Sequence, residues 1–120
     1  MIRHYFSLGV AVLALACAGG AMAHAKLRSS IPANNAVLVE APHSITLAFN
    51  EPAQLTRLVL VTAAHEIALK FDAGAKPARS ITVAAPALAP GKYTVNWSVF
   101  SPSDGHVMKG SLVFTLTAAK

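Results

Sequence analysis

Residues 88–100 read LAPGKYTVNWSVF. Pro90-Gly91 supplies a turn. From Tyr93 onward, Tyr93, Val95, Trp97 and Val99 alternate with Thr94, Asn96, Ser98 and Phe100. That is the period-two pattern of a strand with one face on a core. A Pro-Gly turn just ahead of a Tyr that opens a strand resembles the tyrosine corner of Greek-key sandwiches, where the phenol hydroxyl ties the strand to upstream backbone. Trp97 shares Tyr93's face and is expected to fill the core. Pro86 and Pro90 keep the preceding linker out of a sheet interior.

The same signal spreads outward in both directions. Leu112, Phe114 and Leu116 alternate with Ser111, Val113 and Thr115, and in Ser44 to Phe49 (SITLAF) the residues Ile45, Leu47 and Phe49 share a face. Leu55 to Thr62 (LTRLVLVT) holds a continuous apolar run, Leu58 to Val61, as a strand buried on both faces would. Glu66 to Phe71, Ser80 to Ala84 and Ala25 to Ser30 are shorter candidates. The total is about seven strands separated by turns, which predicts an all-β sandwich. There is no helical period, no internal repeat and no second domain.

The N-terminal segment has a different composition. Residues 1–23 read MIRHYFSLGVAVLALACAGGAMA: a positive n-region at Arg3, an apolar run of 11 residues from Leu8 to Ala18, and Ala21-Met22-Ala23 ahead of a cleavage point. That is the layout of a secretory signal peptide, and the run is about half the roughly 20 residues a spanning helix needs. Lipidation at Cys17 is the competing reading, but Leu15 sits one place too late for the usual lipobox. Of the 120 residues, cleavage leaves 97, residues 24–120, and lowers the formal charge from +5 to +4. It also leaves no Cys, which excludes a disulfide framework and thiolate metal sites. Lys and Arg are scattered without aromatic interleaving, so nucleic acid is not the expected partner.

Cleavage also makes His24 the first residue. An N-terminal His carries a free α-amine and an imidazole, and the two can chelate a metal in a ring. Amines ordinarily deprotonate close enough to neutral pH for a metal to displace the proton. The second candidate is Ser101-Pro102-Ser103-Asp104-Gly105-His106, directly after the Trp97 strand. In an extended segment, Asp104 and His106 would point to one side, and Gly105 allows a tight bend. The competing reading is a polar turn in which Asp104 caps the backbone. Amine, two imidazoles and a carboxylate make an N₃O donor set. The Irving–Williams order favours Cu(II) for it, with zinc as runner-up.

These stretches together resemble the CopC family of periplasmic copper-resistance proteins. The resemblance covers nearly all of residues 24–120. It is carried by His24-Ala25-Lys26-Leu27, Ser29-Ser30-Ile31-Pro32-Ala33, Leu47-Ala48-Phe49-Asn50-Glu51, the Leu88 to Tyr93 corner, Val95-Asn96-Trp97, and Ser103-Asp104-Gly105-His106 with Gly110 and Phe114. It implies a seven-stranded Greek-key β-sandwich, immunoglobulin-like or cupredoxin-like. It also implies a Cu(II) site on His24, Asp104 and His106, with Glu51 at the position of a further acidic residue. The implied protein is a periplasmic monomer, not an enzyme, that buffers copper or delivers it to a CopD-type inner-membrane permease.

The chain departs from the family in one respect. Some members bind Cu(I) through a Met-rich loop, whereas here residues 62–68 read TAAHEIA. Thioethers are the soft donors that Cu(I) needs, so a Cu(I) site is not expected. Met108 is read as strand packing, and His43 and His65 as solvated loop residues. Two other classes stay open on the sequence: a histidine-brace copper oxidase or monooxygenase, and a metal-free sandwich serving as an interaction module.

Overall fold

The computed structural model describes residues 25–117. Within them lie seven strands and no helix: β1 (Leu27–Ile31), β2 (Ala36–Leu38), β3 (Ser44–Val61), β4 (Glu66–Ala68), β5 (Ala78–Ala84), β6 (Gly91–Ser101) and β7 (His106–Leu116). The alternating stretch that opened the sequence reading forms β6. It runs antiparallel to β7 in unbroken register from Gly91↔Leu116 to Ser101↔His106.

Two sheets share β3. Its first half pairs antiparallel with β1 and β5, and its second half with β6 and β4. The larger sheet continues through β7 to β2, which runs parallel to β7. The core lies between the sheets. Ile45, Leu47 and Phe49 come from one side, Val95, Trp97, Val99, Leu112 and Phe114 from the other. Phe49 meets Trp97 edge to face across this space, with ring centroids 5.3 Å apart. The expected seven-stranded β-sandwich is therefore the architecture.

The tyrosine corner is present: Tyr93 donates its hydroxyl to the Ala89 carbonyl at 2.5 Å. Its ring stacks on Phe114 at 5.2 Å. Of the apolar run Leu58 to Val61, expected to be buried on both faces, Leu58, Val59 and Leu60 are buried and Val61 is half-buried.

The strand inventory differs from expectation in two places. Residues 44–49 and 55–62, read as separate strands, form one 18-residue strand. Glu51-Pro52 looks like a break because Pro cannot donate to a ladder. Here it sits where the pairing changes hands. The β5 register shifts between Ala48 and Ala53, and the β6 pairing begins at Gln54. Strands that pass from one sheet to another commonly do so at such bends.

The second difference is β2, three residues too short to show a period. It is fixed by side contacts instead. Asn35, at φ 70°, donates its N–H to the Val113 carbonyl at 2.6 Å, and Asn34 Oδ1 accepts from the Val113 N–H at 2.9 Å. Glu66 to Phe71 contracts to the three residues of β4.

Candidate metal centre

The β3 bend and the β6–β7 turn lie at the same end of the sandwich, because Gln54 pairs with Phe100 and Ser101 with His106. The turn itself closes through the Gly105 N–H, which donates to the Ser101 carbonyl at 2.8 Å. Gly105 has φ 74°, a left-handed conformation that glycine adopts without steric cost. Asp104 Oδ1 accepts the His106 N–H at 3.1 Å. The segment is thus a capped polar turn, not the extended run that would point Asp104 and His106 to one side. Asp104 is half-buried, and His106 is exposed as the first residue of β7.

Glu51 is tied to this turn. Ser103 donates its hydroxyl to Glu51 Oε1 at 2.6 Å. Ser103 also lies 3.3 Å, hydroxyl to hydroxyl, from Ser101, which is fully buried. A polar chain therefore runs from the core edge through the turn to the β3 bend.

The start of the described chain is anchored beside Glu51. Ala25 is 1% exposed. The Lys26 N–H donates to Asn50 Oδ1 at 2.6 Å, and the Asn50 N–H donates to the Lys26 carbonyl at 3.0 Å. Arg79 Nη1 donates to the Asn50 carbonyl at 2.7 Å. His24 lies outside the described residues.

Among the described residues, no three His, Cys, Asp or Glu side chains gather closely enough to hold a metal by themselves. What stands at this end is the Asp104 carboxylate, the His106 imidazole and, through Ser103, the neighbouring Glu51. These are oxygen and nitrogen donors without sulfur, which suit a borderline divalent ion better than Cu(I). Glu51 and Asp104 are two of the chain's five acidic residues, and they stand at the same end as Lys26 and the Arg79 guanidinium.

His43 and His65 are exposed and stand in loops elsewhere. His65 belongs to the turn between β3 and β4, where its N–H donates to Thr62 Oγ1 at 3.1 Å. Met108 packs against the core.

The sequence reading gave no role to Ser101, Ser103, Asn50 or Arg79. One signal was available. Continuing the alternation from Tyr93 through Val99 by two residues puts Ser101 on the core face, and a polar residue there asks for a partner.

The described residues thus form a small two-sheet β-sandwich whose β6–β7 turn carries a carboxylate and an imidazole. Comparison with known proteins narrows the class. A family profile described as the CopC domain matches residues 27–117. Protein YobA of Escherichia coli K12 is 33% identical over 99 residues, 78% of this chain and 79% of its own. The Shigella flexneri protein of that name matches to the same extent. The crystal structure of CopC from Methylosinus trichosporium OB3b superposes with a TM-score of 0.67 at 28% identity. It covers 81% of this chain and 97% of its own. The chain belongs to the CopC family, and so to a group of copper-related periplasmic β-sandwich proteins.

Proposed function

We propose that the protein captures Cu(II) at one end of the sandwich once residues 1–23 are removed. His24 would offer its α-amine and imidazole, His106 an imidazole and Asp104 a carboxylate. Glu51 stands beside this set. One of its oxygens holds the turn through Ser103, and its charge favours a cation. The observation that carries the reading is the reciprocal Lys26–Asn50 hydrogen bonding next to the Glu51–Ser103 bond. It fixes the residues just after His24 at the same end of the molecule as the Asp104–His106 turn.

The donor set selects Cu(II). Nitrogen and oxygen ligands rank it highest among the common divalent ions, and the loop at residues 62–68 offers no thioether. In the oxidising periplasm a thiolate site would be open to oxidation, and none is present in residues 24–120. The protein acts as a monomeric copper carrier or buffer without catalysis. Copper crosses the inner membrane through a separate CopD-type permease, to which this domain delivers it.

The test is a pair of substitutions in the chain beginning at His24. His106→Ala should weaken Cu(II) binding by more than about 100-fold, beyond the 10–100-fold usual for groups that only support a ligand. His65→Ala should leave affinity within about 2-fold, because an exposed loop residue far from the ligands supports none of them. Competition against a Cu(II) chelator reads both. Equal losses in the two variants would move the site away from the β6–β7 turn.

A further inference from the structure

We infer that Asn50 is a positioning residue for copper capture, clamping the Lys26 peptide unit and so setting where the residues ahead of it present their nitrogen donors. This rests on the proposed N-terminal Cu(II) site. Asn50 engages Lys26 from both sides: its side-chain oxygen accepts the Lys26 N–H and its own N–H donates to the Lys26 carbonyl. Its carbonyl is held in turn by Arg79 from β5. An ordinary antiparallel neighbour would take part in the ladder through backbone alone. Here the last register pair is Leu27↔Phe49; one step on, the Asn50 N–H still meets the Lys26 carbonyl, but the Lys26 N–H goes to the Asn50 side-chain oxygen in place of its backbone carbonyl.

That substitution has a physical reason. The Asn50 carbonyl, the ordinary ladder acceptor for the Lys26 N–H, is engaged by Arg79 instead. Without Oδ1 the Lys26 N–H would turn to solvent, and the first residues of the processed chain would fray, as unanchored termini do. A chelate built on a terminal amine needs that terminus fixed. Each rotatable peptide left loose costs conformational entropy when the metal orders it. Asn50 removes that cost in advance, while Glu51, the next residue, holds the turn carrying Asp104 and His106. Adjacent residues of one bend thus anchor the two halves of the donor set.

Three chains beginning at His24 test this: wild type, Asn50→Ala and Asn50→Asp. Asn50→Ala should bind Cu(II) about 10-fold more weakly, the lower end of the cost of losing a ligand-supporting hydrogen bond. Its Cu(II) EPR spectrum should broaden or split into several species. Asn50→Asp keeps the acceptor and should return affinity and spectrum to within about 3-fold of wild type, since the supporting hydrogen bond survives. The metal-free thermal midpoints should not track these differences, which separates positioning from general stability.

Amide exchange on the metal-free wild type gives an independent reading that needs no variant. The Lys26 N–H should be protected relative to an unstructured peptide. Unchanged affinity and spectrum in Asn50→Ala, or an unprotected Lys26 amide, would overturn the inference while leaving the copper site standing. A wild-type chain that binds no Cu(II) would remove the proposed function itself, and this inference with it.

Discussion

Gly110 and Trp97 face each other across the β6–β7 pair, and the indole lies where any larger residue would stand. A Cβ built on Gly110 would come within 2.3 Å of Trp97 Cζ2. Trp97 is 7% exposed, and its Nε1 is buried with no hydrogen-bond partner among the described residues. The ring is therefore kept for its area and its edge-to-face contact with Phe49, and Gly110 makes the room. Gly110→Ala should destabilise the fold by about 1–3 kcal/mol, the usual cost of overpacking, read as a lower denaturant midpoint with unchanged slope. An unchanged midpoint would mean that the indole relocates freely. Trp97 was legible as core from its face alone. Gly110 was not, because only the register shows what stands opposite it. At the candidate site, Asp104 and His106 stand out in the sequence as proposed donors by their types alone. Their arrangement was not legible, since Gly105's left-handed backbone and the Asp104–His106 cap decide it.

At the scale of elements, β3 governs the site. Its 18 residues serve both sheets, and the place where it changes sheet, Asn50 to Pro52, is the place that reaches both Lys26 and the β6–β7 turn. The alternation at Ile45, Leu47 and Phe49 and the run at Leu58 to Leu60 were readable. Their continuity was not, because Pro52 signals a stop in any local reading while the tertiary pairing tolerates it. The three-residue β2 lay below any period and owes its place to Asn34 and Asn35. The Glu51–Ser103 bond predicts a specific coupling between β3 and the hairpin. Glu51→Ala should loosen the turn, seen as faster amide exchange at Gly105 and His106 in the metal-free protein. Glu51→Gln keeps an acceptor for Ser103 and should retain protection. Equal exchange in the two variants would show that the turn stands on its own backbone bonds.

For the whole molecule, the outline emerges from charge and chain economy. A basic sandwich places two of its five carboxylates at one end, and the described residues there are the proposed part of a copper site. The proposed remainder is a residue whose donors depend on processing, since the His24 nitrogen is a peptide amide in the 120-residue chain and an amine only after cleavage. Capture of copper would in this way be confined to the exported form. The most direct measurement is a Cu(II) titration, followed by EPR, of two chains that differ by a single glycine placed ahead of His24. The chain starting at His24 should bind one Cu(II) tightly, with a spectrum of mixed nitrogen and oxygen ligation. The extended chain should lose that spectrum and bind more weakly by about 100-fold or more, because it loses a primary ligand and not merely a supporting group. The same affinity and spectrum in both would contradict an N-terminal copper chelate.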